Sequence, residues 1–363
     1  MKKNYLLIIG TVFSAFTGFA QPDERMTLVE TFTSSTCPPC VGGNIVLEDF
    51  LAQPENSNKT VSLKYQMSWP GSGDPYYTAE GGIRRNVYSV SGVPNTVLDG
   101  AQNGNFQGGP SNLAQGDFDA AYAITPDINV DAFYQIDEQT QTVSVQVDLE
   151  AFTDFPPSAR IYIAIFEYET FNNTGSNGET EFAHVMKKMV GVGAAGNSFG
   201  GMNSGEIEHF EYSYTFNGSY VLPPDANSPI DHAQEHSIEE FSDLGVAVWV
   251  QNAISREVHQ ATYAVPGFSP LSVSENSESL TSAKIYPNPA SDNAAIAFHS
   301  TMVQDVMIDV YSADGQLVYQ SSEENVEIGR TVHEFSTEGL ASGLYSVAIH
   351  SDSGSIMKKL SVR

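Results

Sequence analysis

Thr27-Leu28-Val29-Glu30-Thr31-Phe32-Thr33-Ser34-Ser35-Thr36-Cys37-Pro38-Pro39-Cys40 is the stretch on which the fold turns. Met26 to Phe32 predicts a strand, and beyond the cysteines Val46 with Phe50 and Leu47 with Leu51 recur at four-residue spacing, as on one helix face. Where a strand hands over to a helix at Cys-x-x-Cys, both sulfurs lie on one face and within disulfide reach. The helix N-terminus is expected to offer free N–H groups and a partial positive charge, which favour thiolate over thiol at Cys37. Cys40, one turn further in and less exposed, then attacks Cys37 to release a bound partner. Pro39 suits the first helical turn, where its missing N–H is not needed.

Composition sets the limits around this motif. A chain of 363 residues is long enough for two or three domains, and three are expected. Forty-four acidic against sixteen basic residues leave a formal charge of -28, which repels phosphate backbones and anionic lipid and argues against a nucleic-acid partner. Lys2 and Lys3, the apolar run Leu6 to Phe16 and the small-residue end Gly18-Phe19-Ala20 have the order of a secretory signal peptide over residues 1–20. That run is shorter than the roughly 18 residues a spanning helix needs, and no later stretch reaches that length, so the mature chain is expected to be soluble with no transmembrane span. The two cysteines are the only ones, which excludes a four-cysteine zinc site and points to chemistry or metal rather than reinforcement. A permanent stabilising disulfide is the other reading, although a bridge over so short a loop constrains the unfolded chain little.

Along residues 21–128 strand-like and helix-like segments alternate, as in an α/β domain: strands at Thr60 to Met67 and Asn95 to Leu98, helices at Tyr76 to Tyr88 and Phe118 to Ala123. From 129 to 268 the period changes to two, with Val143, Val145, Val147 and Leu149 read as alternating with polar residues, and Ile161, Ile163 and Ile165 likewise. Further strands at Glu208 to Phe216, Gly245 to Val250 and Glu257 to Ala264 predict an antiparallel β-sandwich, interrupted by a helix-like insertion around Phe182 to Val190. Residues 269–283 are Ser- and Glu-rich and read as a flexible linker. Residues 284–363 return to short strands, with Asp314-Gly315 as a hairpin turn, and predict a second, small Ig-like sandwich.

The Cys-x-x-Cys together with Ser91-Gly92-Val93-Pro94-Asn95-Thr96-Val97 resembles the thioredoxin superfamily over about residues 25–128. By that resemblance Pro94 is cis and lies against the dithiol, and Val93 offers its backbone to an extended substrate. Thr36 and Pro38 depart from the usual aromatic residue and glycine, which leaves redox tuning open. Leu28-Val29-Glu30-Thr31-Phe32-Thr33, Ser68-Trp69-Pro70-Gly71, Phe182-Ala183-His184-Val185-Met186-Lys187-Lys188-Met189 and Val248-Trp249-Val250-Gln251 further resemble the outer-membrane protein family of the 28 kDa type, in which a thioredoxin-like domain precedes a sandwich. Glu30 can stand for the buried acid that passes protons to the resolving thiol, with Lys64 as its partner. A surface carboxylate is the preferred reading of Glu30.

Other signals are set aside. Gly191 to Gly196 matches a dinucleotide loop by letters only, without the framing strand and helix, and reads as a flexible loop. His232 and His236 have ligand spacing, but Leu222-Pro223-Pro224 and Ser228-Pro229 make that stretch a loop, and His184 reads as a packing residue. No cofactor and no metal are expected.

Ile285-Tyr286-Pro287-Asn288-Pro289-Ala290, Val310-Tyr311-Ser312-Ala313-Asp314-Gly315, Leu340-Ala341-Ser342-Gly343-Leu344-Tyr345 and Lys358-Lys359-Leu360-Ser361-Val362 resemble the type A sorting domain of the type IX secretion system. The resemblance implies that the secretion machinery is a partner, and that the chain reaches the medium or the outer surface after passing through the periplasm. The expectation is thus a secreted or cell-surface protein that exchanges protein or peptide disulfides through Cys37 and Cys40, the competing class being a non-catalytic surface-binding protein.

Overall fold

Over the first part of the chain β1 (Thr27–Thr33), α1 (Pro38–Leu51), β2 (Thr60–Gln66), α2 (Ala79–Val87), β3 (Asn95–Leu98), the two-residue β4 (Gln107–Gly108) and α3 (Gln115–Tyr122) follow one another, in the expected order apart from β4, which is not among the expected strands. The computed structural model describes residues 24–102, 104–267, 279–312, 317–341, 343–351 and 354–362. The segment expected to be a signal peptide (1–20), most of the expected linker (269–278) and the expected turn at Asp314-Gly315 lie outside the described residues.

Every residue of β1 is buried, because it lies inside a sheet that is covered on both faces, between parallel β2 and antiparallel β3. Its alternate residues part company: Val29 shares a core with Leu47 of α1 and Phe118 of α3, while Leu28 and Phe32 pack with Tyr65 and Tyr88. Helix α1 therefore covers one face of β1, and the aromatic cluster beside α2 covers the other.

The chain continues with β5 (Ile128–Asp137), β6 (Thr142–Ala151), β7 (Ala159–Thr170), β8 (Phe182–Met189), β9 (Asn197–Ser198), β10 (Ile207–Thr215), β11 (Leu244–Asn252), β12 (Val258–Tyr263) and β13 (Val265–Pro266). The expected separate sandwich over 129–268 is only half separate. Strands β7, β8, β11 and β12 extend the first sheet in the order β12-β11-β7-β8-β2-β1-β3-β4, with β9 beside β7, and only β10-β6-β5-β13 form a second sheet. The reason lies in Ile161-Tyr162-Ile163-Ala164-Ile165-Phe166, which is apolar without a break and so fits a strand buried on both faces. Ile161, Ile163 and Ile165 meet Val143, Val145 and Val147 of the second sheet, while Tyr162, Ala164 and Phe166 meet Trp249 and Tyr65 on the side of α2.

The helix expected around Phe182 to Val190 is instead β8, which pairs antiparallel with β7 and touches β2 through one parallel pair, Lys64 with Val185. Two irregularities hide the strand period. His184 has φ +55, and the ladder slips where Ile165 faces Lys188 and Phe166 faces Met186, which leaves Lys187 as an extra residue. Apolar residues consequently fall at 182, 185, 186 and 189, a helical spacing on a bulged strand.

The last unit holds β14 (Leu280–Tyr286), β15 (Asn293–Ser300), β16 (Gln304–Ser312), β17 (Leu317–Val326), β18 (Gly329–Ser336), β19 (Gly343–Ser351) and β20 (Gly354–Val362). Sheets β14-β15-β18 and β17-β16-β19-β20 close over Ile296, Phe298, Ile308, Val347 and Leu360, as a small sandwich. Leu280 and Ala283 are buried in that core, so residues 279–283 belong to this unit rather than to the linker.

Candidate functional site

Cys37 caps α1 in extended backbone, Pro38 and Pro39 form its first turn, and Cys37 is disulfide-bonded to Cys40. The free N–H groups expected there are missing. Two prolines carry none, and the Cys40 N–H is already given to the Cys37 carbonyl at 3.0 Å. What is left at Cys37 that favours a thiolate is the field of the helix, with no acidic residue in the first turn to oppose it. The expected difference in exposure is also absent, since Cys37 is 1% and Cys40 0% exposed.

Val93 and Pro94 are brought to the sulfurs. The Val93–Pro94 bond is cis, and the Cys37 Sγ stands 3.5 Å from the Val93 carbonyl oxygen. A disulfide sulfur has no proton to donate, so this is a contact that a reduced Cys37 thiol converts into a hydrogen bond. Gly43 makes the approach possible, because a Cβ there would lie 2.8 Å from the Pro94 ring and 2.9 Å from that of Pro110.

Glu30 is not brought to the sulfurs. Asn44 of α1 donates to Thr33 Oγ1 at 3.1 Å, which marks Thr33, Thr31 and Val29 as the α1 side of β1, so Glu30 faces the other way. Nor is it a surface carboxylate or a partner of Lys64. It is fully buried and takes hydrogen bonds from Arg84 Nε at 2.9 Å, Arg84 Nη2 at 2.7 Å, Tyr65 at 2.8 Å and Tyr88 at 2.5 Å. Lys64 pairs with Glu48 of α1. The guanidinium of Arg84 lies over the rings of Tyr88, Tyr162 and Trp249, which ties β1 to β7 and β11.

The connection between β7 and β8, residues 171–181, supplies groups around the dithiol that the sequence did not single out. The Asn177 N–H donates to the Ser35 carbonyl at 3.0 Å, and its side-chain amide donates to the carbonyls of Ser34 and Cys37, both at 3.3 Å. Glu179 accepts from Asn44 at 2.8 Å and from the Asn177 amide at 3.2 Å. Asp74, also buried, accepts from the N–H groups of Ser35 and Tyr76 and from Asn173, and burial raises its carboxyl above the usual range despite those bonds. Thr36 donates to the Pro70 carbonyl at 2.6 Å. Asn172-Asn173-Thr174-Gly175-Ser176-Asn177-Gly178 signals a turn-rich loop in the sequence, but nothing in it says what the loop covers.

The remaining candidates are structural. His184 packs with Phe166, Tyr168 and Tyr263, and burial lowers its pKa to about 4. His236 packs against Phe216 and Phe241, and among the described residues no group of three or more His, Cys, Asp or Glu side chains is placed to hold a metal ion. Gly191 to Gly196 forms a loop with one short 3-10 turn, Gly193–Ala195.

Residues 284–363 match the family described as secretion system C-terminal sorting domain. They are a secretion-system sorting domain. The chain is therefore a secreted or cell-surface, outer-membrane-associated protein, and the sorting domain implies interaction with the secretion machinery. No described helix is long and apolar enough to cross a membrane. Comparison with curated proteins finds no match. Among solved structures the chain is similar to HBP35 of Porphyromonas gingivalis, at 14% identity over 95% of this chain and 100% of that one, with a TM-score of 0.47. It also overlaps red sea bream transglutaminase at 8% identity over 74% of this chain and 37% of that one (TM-score 0.18). With Faecalibacterium prausnitzii β-glucuronidase the figures are 12% identity, 61% and 37% (TM-score 0.20).

Proposed function

We propose that residues 25–128 are a thioredoxin-like frame and that the protein exchanges protein or peptide disulfides through Cys37 and Cys40. The observation that carries this is the meeting of three elements at one point: the dithiol at the start of α1, the Val93 carbonyl 3.5 Å from the Cys37 sulfur, and Pro94 behind it. In the reducing direction the Cys37 thiolate attacks a partner disulfide, forming a mixed disulfide and expelling one partner thiolate. Cys40, as thiolate, then attacks the Cys37 sulfur, closes the Cys37–Cys40 bond and expels the second thiolate. Two electrons pass from the dithiol to the partner, and the reverse sequence oxidises a partner dithiol. An extended partner strand would lie along the Val93 backbone, and Pro94 keeps an N–H away from the sulfurs. Glu30 has no part in these steps.

Burial of both sulfurs favours a second reading, a surface-binding protein whose disulfide is inert. Trapping separates the two. After reduction and exposure to a peptide disulfide, Cys40→Ser should accumulate a mixed disulfide through Cys37, and Cys37→Ser should not. Absence of capture by either variant overturns the exchange reading.

A further inference from the structure

Cys37 caps α1 just beyond the end of β1, yet it is only 1% exposed. The connection between β7 and β8 is fastened to the backbone on both sides of it. Its fastenings near the dithiol are Asn173 on Asp74 at 3.3 Å, Asn177 on the carbonyls of Ser34, Ser35 and Cys37, and Glu179 on Asn44, one helical turn beyond Cys40, while Phe171 and Asn172 are held further off by Glu239. Gly175 lies so close to the loop before Cys37 that a Cβ on it would stand 2.4 Å from the Ser35 carbonyl oxygen. Between the fastenings Thr174, Gly175, Ser176 and Gly178 are exposed. All these bonds are polar and the segment adds little apolar burial, which is the make-up of a segment that opens locally at low cost.

We propose that this segment is a strap that determines which disulfides reach Cys37, and that Asn177 is the positioning residue that latches it. The inference rests on the exchange reading for its biological meaning, but the cover itself does not depend on it. Asn177 is suited to the latch because its amide donates to the Cys37 carbonyl while its Oδ1 accepts from the Glu179 N–H at 2.9 Å, so one side chain joins the strap to the capping residue of α1. A partner protein must displace the strap, whereas a small thiol reagent needs only a brief partial opening.

The test is the alkylation of Cys37 in the full chain carrying Cys40→Ser, where Cys37 is the lone thiol. Iodoacetamide serves as the small reagent and a polyethylene glycol maleimide as the bulky one. With the strap latched, the bulky reagent is disfavoured. Asn177→Asp keeps the side-chain size but replaces the donor by a carboxylate facing carbonyl oxygens. It should raise the bulky-to-small rate ratio about tenfold, the factor that one or two hydrogen bonds contribute to an opening equilibrium. Gly175→Ala leaves Asn177 and Glu179 intact, wedges the strap from the Ser35 loop and should raise the ratio in the same direction, so the test survives if one variant does not fold. A ratio unchanged in both folded variants overturns the strap. Exchange with oxidised glutathione, measured on the same variants with Cys40 restored, keeps the failures apart: a raised ratio with no exchange upholds the cover and removes the exchange reading, while exchange with an unchanged ratio does the reverse.

Discussion

Replacing Glu30 by Gln tests whether the acid on the first strand serves the fold or the sulfurs. The substitution keeps the volume and removes the charge that four donors share, leaving the fully buried Arg84 guanidinium without its anion. Breaking one partner of a buried ion pair costs about 3–5 kcal/mol. For a folded unit of the size of residues 24–267, at about 2–4 °C per kcal/mol, the melting temperature should fall by about 6–20 °C. Adding Arg84→Met should recover part of the loss, because no unpaired charge then stays buried. Calorimetry on the full chain reads the stability, and oxidation by glutathione below the melting temperature reads the dithiol. Glu30→Gln should leave the exchange rate per folded molecule unchanged. An unaltered melting temperature together with a tenfold slower exchange would refute this reasoning and return Glu30 to a proton-transfer role.

Other perturbations give equally definite outcomes. His184 has its pKa lowered by burial to about 4 against an ordinary 6.5, so the unfolded chain takes the proton first and stability is lost as pH falls from about 6.5 to about 4, by up to about 3 kcal/mol. His184→Asn, which tolerates the positive φ, should flatten that part of the stability profile in denaturant titrations. Pro39→Ala returns an N–H to the first turn of α1 and should speed iodoacetamide alkylation of Cys37 at neutral pH several-fold in the Cys40→Ser background, with no change expected if helix N–H groups are irrelevant to the thiolate. Deleting residues 279–363 should leave residues 24–267 folded but retained within the cell envelope, as judged by fractionation, since the sorting domain has its own core. Normal export of the shortened chain would contradict that.

The sequence is most legible where one local rule governs. The order of the strands and helices from β1 to α3 and the strands of the last sandwich follow from period and turn residues, and the cis Val93–Pro94 bond from the family resemblance that its motif carries. It is least legible where tertiary partners decide. Glu30 looks like any carboxylate on a strand until Arg84, fifty-four residues away, and two tyrosines close around it. The strand β8 hides behind the φ of His184 and the extra Lys187, each of which shifts the apolar period locally. The joining of β7 and β11 to the first sheet was signalled by apolar residues on both faces of Ile161 to Phe166, although the alternation of the isoleucines alone suggests a half-exposed strand. The dithiol was visible from the letters, but the segment fastened beside it was not, because polar loop residues take their meaning from the carbonyl groups they meet.

The central claim is that Cys37–Cys40 is a working redox couple rather than a staple, and its reduction potential tests this most directly. With no N–H donors free in the first turn, the reduced form gains less stabilisation than in strongly oxidising dithiols, whose potentials lie near about −120 mV. Equilibration of the full chain with glutathione and dithiothreitol buffers, read by the extent of thiol alkylation, should give one reversible two-electron midpoint between about −200 and −300 mV, with the fold retained in both states. A pair that resists reduction to below about −300 mV, or that is reduced only as the chain unfolds, would mark a structural disulfide and contradict the account.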